Sequence, residues 1–338
     1  MAALFGDTYF WNASAKIIMD EFTRYLTEDS PQQATVFGIF YVLLSVITVV
    51  GNALVIAAVW KDPLKILKTS PTNLILLSLA IADLMVGLFV VPGAASWYLR
   101  VGVTEKGQWH SQLIFLTLRQ GFLTVSVGHV LFLTVDRYFA LATPLKYRTK
   151  ITKRTVVGVS SLIWICGISQ AVVVSILHQH FAITWFIFIV VIFLLAETIY
   201  VLYLMILRHL MKHSKARILL ENSQSNVVSL HQRERKVFRV IVSVVFAFDC
   251  CFTPWVATQA LLYFCKSCHS HDEVMMVCFN VTTVLMFANS ALNPLLYSWR
   301  FSKFRATFRH FWGKFARTGK RNKTARITVR SETLNTPL

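Results

Sequence analysis

The stretch "LFLTVDRYFALATPL", residues 131–145, ends a long apolar run with an acid and a base side by side. Asp136 and Arg137 stand out because the chain otherwise avoids charge. Hydrophobic residues make up 55% of the 338 and charged residues only 15%, against about 25% charged in ordinary soluble domains. The net charge is +18. Such a composition suits a membrane protein with basic loops or a basic nucleic-acid binder. The apolar residues come in long blocks, which excludes nucleic acid as a partner and leaves the lipid bilayer.

Seven blocks approach or exceed the ~20 residues that cross a bilayer. They fall near 34–60, 70–97, 109–140, 152–177, 181–208, 236–264 and 273–299. The expected fold is an all-α membrane protein, a seven-transmembrane helix bundle. No internal repeat of the inverted-repeat transporter kind is visible. Of the 34 Lys and Arg, 28 lie in the connections after the first, third and fifth blocks and in the final tail when Arg137, at the end of the third block, is included. Only Lys16, Arg24, Arg100, Lys106 and Lys266 lie on the opposite side, and Arg119 falls inside the third block. The positive-inside rule places the N-terminal tail, 1–33, outside and the basic tail, 316–338, in the cytoplasm. Residues 1–33 contain no apolar h-region, so the first span is expected to direct insertion. The Asn12-Ala-Ser14 sequon then lies outside, where it can be glycosylated. The sequons at Asn280 and Asn322 fall in a span and in the cytoplasmic tail.

Ionisable groups inside spans are costly and mark functional sites by default. Here they are Asp83, Arg119, His129, Glu197 and Asp249, with Asp136 and Arg137 at a membrane edge. An Asp-Arg pair can neutralise itself while the guanidinium keeps spare donors. Those donors can engage a second acid or release it for a partner docking from inside. Glu234, in "RERKVF" at the base of the sixth block, is the natural second acid. The plainer alternative is a pair that caps and anchors a helix end.

"DRYFALATPL" is similar to the third-helix signature of rhodopsin-like (class A) G-protein-coupled receptors. "GNALVI" in the first block, "LSLAIADL" in the second, Trp164, "FDCCFTP" in the sixth and "NSALNPLLYSWRF" in the seventh resemble that family's other motifs, in order. The resemblance covers about 34–315. It implies a plasma-membrane receptor that couples an extracellular ligand to a heterotrimeric G protein. Asn52, Asp83, Arg137, Trp164, Pro254 and Pro294 match the family's landmark positions. Asp83, Ser126, Asn289 and Ser290 match residues that line a sodium site, and oxygen ligands suit such a hard cation. A hydrogen-bonded or protonated core acid is the alternative for Asp83. Asp136, Arg137, Tyr138, Phe248, Phe252, Pro254, Asn293, Pro294 and Tyr297 match the activation switch. Prolines in spanning helices free carbonyls and permit kinks.

After the seventh block, Phe301, Phe304, Phe308, Phe311 and Phe315 step by three and four among Lys303, Arg305, Arg309 and Lys314. That pattern is a basic amphipathic helix over 301–315, suited to an anionic leaflet. In the family it corresponds to a short eighth helix. No cysteine follows it to carry a palmitoyl anchor.

The chain also departs from the family. Gln112 replaces the cysteine that usually ties the third helix to the second outer loop. That loop lacks a cysteine as well, and the fifth block lacks the usual proline. Such absences resemble the melanocortin, lysophospholipid and cannabinoid branch, whereas "LSLAIADLMVGLFVVP" is closer to amine receptors. Phe252 stands where most members have tryptophan. Amine receptors carry an acid where this chain has Arg119, and retinal-binding members carry a lysine in the seventh span, which is absent over 273–299.

Arg119 lies eighteen residues before Arg137, hence about 27 Å away along a helix. With Phe115, Phe122, Trp255, Gln259 and Tyr263 it suggests a pocket for an anionic or amphiphilic ligand. The alternative is an internal pair with Glu105, Asp272 or Glu273. In "CKSCHSH", residues 265–271, two Cys and two His could hold zinc, and Cys-x-x-Cys-His formally matches a haem attachment. The resemblance favours a local Cys265–Cys268 disulfide, common in the family's third outer loop. No cofactor is expected beyond a bound sodium ion. No nucleophile–base–acid set or nucleotide loop suggests an enzyme. The competing class is a proton-coupled carrier relaying through Glu197, Asp249 and His129.

Overall fold

The computed structural model describes Arg24, Leu26, residues 30–62, 70–104, 109–177, 181–218 and 246–262, Cys265 and 272–300. Side chains are described except at 101–113, 144–145, 148, 181–183, 210–218, 272 and 297–300. Helix α1 is Pro31–Lys61. Helix α2 runs through Pro71–Met85, a π-helical turn at Val86–Val90, and Val91–Thr104. Helix α3 is Trp109–Ala142, followed by a two-turn helix, Pro144–Lys150. Helices α4, Lys153–Ile176, and α5, Phe181–Ile218, come next. Helix α6 covers 246–262 and α7 is Asp272–Arg300. The expected blocks coincide with these helices, except that 236–245, the N-terminal part of the sixth, lies outside the described residues. So do the expected amphipathic helix and the tail.

Local chemistry explains several boundaries. Ser30-Pro31, Ser70-Pro71 and Thr143-Pro144 each open a helix with proline at its start, where the missing N–H would lack a partner anyway. Thr152 caps α4 by accepting from Thr155 N–H at 3.2 Å. Helix α1 ends at Asp62, whose φ of 30° is left-handed, a conformation aspartate tolerates better than most residues. The π-helical turn in α2 immediately precedes Pro92. That residue cannot donate to the carbonyl four positions back, and a widened turn absorbs the mismatch.

The distribution of side chains is inverted relative to a soluble protein. Phe40, Leu162 and Leu194 are each more than half exposed, while Asn52, Asp83, Gln120, His129, Asn280, Ser290 and Asn293 are buried. Lipid is the solvent that accepts this arrangement, because exposed apolar groups cost nothing there and polar groups must find partners inside. Six helices among the described residues, α1 to α5 and α7, are long and apolar enough to cross a membrane.

Helix α3 is the hub, packing against α2, α4 and α5, while α1 packs on α2 and α7. The α3–α4 contact is backbone-close. A Cβ on Gly121 would stand 3.0 Å from the Gly167 carbonyl, and one on Gly167 would stand 2.8 Å from the Gly121 carbonyl. Long-range bonds add register: Asn52 Nδ2 donates to the Ser290 carbonyl at 3.1 Å, and Trp164 Nε1 donates to Ser78 Oγ at 3.0 Å.

Candidate functional site

The candidate residues form three layers along the bundle. At the Arg137 end, Asp136 is completely buried, and its Oδ2 pairs with the Arg137 guanidinium at 3.0 Å. Thr72 Oγ1 of α2 donates to the same oxygen at 3.0 Å, and the Tyr147 hydroxyl of the two-turn helix donates to Oδ1 at 2.8 Å. Burial, reinforced by the neighbouring Asp136 carboxylate, pushes the Tyr147 phenol above its ordinary value. It therefore keeps its proton and acts as the donor. Arg137 Nε is buried without a hydrogen-bond partner, so the guanidinium retains capacity beyond Asp136. Charge-assisted bonds of this kind are roughly twice as strong as neutral ones. Asp136 thus ties three elements to one arginine.

The middle layer centres on Asp83, fully buried on α2. Ser126 Oγ of α3 and Ser290 Oγ of α7 both donate to Asp83 Oδ1 at 2.8 Å. Asn293 Nδ2 donates to Oδ2 at 2.7 Å. No basic side chain among the described residues pairs with Asp83. A hard cation takes oxygen ligands, and each serine oxygen keeps a free lone pair while its proton serves the carboxylate. The donor set therefore fits sodium. The Phe248 and Phe252 rings of α6 stack at 4.4 Å.

In the third layer, at the end of α3 away from Arg137, Arg119 is 5% exposed, with its guanidinium 4.5 Å from the Trp185 ring centroid and 5.7 Å from Phe115. Trp185 of α5 in turn donates from Nε1 to Gln259 Oε1 at 3.3 Å and meets Trp255 edge-on at 6.2 Å. Arg119 also lies within electrostatic reach of Tyr41 and Tyr98. The Tyr98 hydroxyl donates to Asn280 Oδ1 of α7.

The chain matches the 7 transmembrane receptor (rhodopsin family) model over residues 51–297. The chain belongs to the rhodopsin family of seven-transmembrane receptors. It is 25% identical over 299 residues to the adenosine receptor A2a of Canis lupus familiaris, covering 79% of this chain and 69% of that one. It is 27% identical over 305 residues to the allatostatin-A receptor of Bombyx mori, covering 81% and 78%. Against the D(1)-like dopamine receptor of Takifugu rubripes the identity is 24% over 337 residues, covering 84% and 72%. These relatives are receptors rather than enzymes, and with the apolar helices they make this chain a multi-pass plasma-membrane protein.

The receptor brings together most, not all, of the residues its sequence singles out. Asp83, Ser126 and Ser290 converge as expected. Asn289 is buried but makes no hydrogen bond to Asp83, and Asn293 takes that place. Phe122 packs edge-on against Trp164 of α4 at 6.4 Å, so it belongs to the α3–α4 contact rather than to the Arg119 cluster. Glu273, one candidate partner for Arg119, is exposed and makes no ion pair with it. Glu105 and the Asp272 side chain lie outside the described residues, as do Glu234, Tyr263, Cys268, Asn12 and the Tyr297 side chain. Cys265 is disulfide-bonded, and Cys166, Cys250, Cys251 and Cys278 are free.

The carrier relay is not assembled. Glu197 and Asp249 sit on exposed faces of α5 and α6, while His129 is buried on α3 with Nδ1 2.8 Å from the Val125 carbonyl. Asp249 accepts from Thr253 Oγ1, one turn along its own helix, at 2.7 Å. A proton path would have to link two acids on exposed faces to a buried imidazole, with no bonded group between them among the described residues. Sequence reading missed Thr72, Tyr147, Tyr98 and Trp185. Trp185 carried a signal, a lone indole near the start of an aliphatic and phenylalanine run. The others needed the fold.

Proposed function

We propose that this receptor is turned on by an anionic or amphiphilic extracellular ligand held at Arg119, and that it opens its Arg137 end to a heterotrimeric G protein. The observation that carries the ligand class is Arg119 itself, a buried guanidinium set between two aromatic rings with no carboxylate on it among the described residues. A charged group so placed favours a counter-ion, and a planar guanidinium binds carboxylate or phosphate through two parallel bonds. The relatives' own ligands do not transfer, because the outer site here has the opposite sign to an amine site.

The coupling reading rests on the Asp136–Arg137 pair. In the resting state Asp136 holds the arginine, Thr72 and Tyr147 hold Asp136, and Glu234 of the sixth helix supplies the second acid. Outward movement of that helix about Pro254 breaks the contact and exposes the Arg137 donors. Ligand favours this state only by binding it better than the resting one. Asp83, with Ser126 and Ser290 as oxygen donors, holds a sodium ion in the resting core, where the ion supplies the missing countercharge. The N-terminus lies outside with a glycan at Asn12, Cys265 pairs with Cys268, and the C-terminal tail is cytoplasmic. Cells expressing the receptor with cyclic AMP and calcium reporters test the proposal against a panel of carboxylates, phosphates and amines. Second-messenger responses to acids that vanish in Arg119→Ala support it. Responses confined to amines refute it.

A further inference from the structure

The polarity of the outer site extends beyond Arg119. Gln259 and Asn280 are both buried, 4% and 0% exposed. Each has its amide oxygen already committed: Gln259 Oε1 accepts from Trp185, and Asn280 Oδ1 accepts from Tyr98. An indole N–H can only donate, so Trp185 fixes the orientation of the Gln259 amide; Gln259 Nε2 and Asn280 Nδ2 are both left without a partner. Trp255 Nε1 and Arg119 Nε are likewise buried and without a hydrogen-bond partner. All four groups are donors. Gln120, Thr117 and Tyr41 also have open positions, but each can donate or accept and so does not set the polarity.

The four donors belong to one connected set. Arg119 stacks on Trp185, which bonds Gln259 and meets Trp255; Arg119 also lies within electrostatic reach of Tyr98, which bonds Asn280. The contributing elements are α2, α3, α5, α6 and α7. A buried donor without an acceptor is unfavourable, and native proteins rarely tolerate several together without a role. We infer that the receptor selects an aromatic acid that also carries neutral hydrogen-bond acceptors, such as carbonyl groups, away from its carboxylate. An ammonium or a donor-rich ligand would face N–H against N–H. This rests on Arg119 as the charge anchor and adds Gln259, Asn280 and Trp255 as the groups that read the rest of the molecule. Trp185 is a positioning residue, because its indole N–H can only donate and so takes the oxygen end of the Gln259 amide.

The experiment uses purified full-length receptor and a series of aryl keto acids, each beside its deoxy analogue and the amine of the same skeleton, with binding read from thermal shift titrations. Gln259→Glu and Asn280→Asp keep the oxygen that Trp185 or Tyr98 contacts and remove the N–H donors; the carboxylate they add weakens both acids of a pair alike, so the readout is the keto-to-deoxy ratio and not the absolute affinity. The wild type is expected to bind the best keto acid roughly tenfold more tightly than its deoxy analogue, and the amine not measurably. In each variant that ratio falls towards one. Arg119→Ala abolishes binding of both acids. Keto and deoxy acids binding equally to the wild type, or a ratio unchanged in both variants, overturns the inference while the Arg119 reading stands. Binding of the amine but neither acid, or of no acid in the series, overturns both.

Discussion

Asp83→Asn offers the most direct test of the core layer. The wild-type carboxylate accepts from Ser126 and Ser290 on one oxygen and from Asn293 on the other. An asparagine keeps one oxygen for the two hydroxyls. If its nitrogen takes the second position, it meets the Asn293 Nδ2 donor, so one bond is lost unless an amide turns. Hydrogen bonds to a charged group are worth about 1.5–3 kcal/mol and neutral ones about 1 kcal/mol. The three bonds together therefore weaken by a few kcal/mol, partly offset because no charge need be buried. Asp83→Ala is harsher, since it strands three donors at about 1–3 kcal/mol each, and is expected to fail at expression. Sodium separates charge from shape. At tenfold above its dissociation constant, an ion that binds only the folded state adds about 1.4 kcal/mol. Melting of the purified receptor in sodium, compared with an equal concentration of a bulky organic cation, should show that stabilisation in the wild type and none in Asp83→Asn. A sodium-dependent melting shift that survives in Asp83→Asn would remove Asp83 from the ion's site. A wild type indifferent to sodium would remove the site altogether.

Three further outcomes are expected. Arg119→Ala should weaken an anionic agonist by on the order of 2–5 kcal/mol, roughly 30- to 5,000-fold, and Arg119→Lys far less, at matched surface expression; a collapse of expression in the alanine variant would make Arg119 structural. Glu234→Ala should raise ligand-independent signalling per receptor at the surface, and unchanged basal output would favour the helix-capping account of Asp136 and Arg137. Gly167→Ala should cost on the order of 1–3 kcal/mol, because its new methyl group would lie 2.8 Å from the Gly121 carbonyl and backbone cannot step aside. A melting temperature equal to wild type would mean that α3 and α4 are not in backbone contact.

The sequence alone determined the membrane class, the seven spans and the place of the Asp136–Arg137 pair at the end of one of them. Bilayer thickness demands unbroken apolar runs, and a charge within one is rare enough to be conspicuous. For the same reason Asp83 and Arg119 could be singled out without a structure. Which side chains meet across helices was decided only by the tertiary structure, because it depends on helix rotation and depth, which composition does not encode. Asn293 rather than Asn289 bonds Asp83, although both lie on α7 four residues apart. Their carboxamides leave the helix at different heights, and only one reaches α2. Phe122 is spent on Trp164 because α3 is buried on several sides, so an aromatic on it need not face the site. Glu197 and Asp249, which look like a relay when all intramembrane acids are counted together, end on faces that point away from the core. The orientation of the Gln259 amide was the least legible feature of all. A glutamine offers a donor and an acceptor in equal measure, and only the neighbouring Trp185 indole, a donor brought from another helix by folding, decides which of the two is left over.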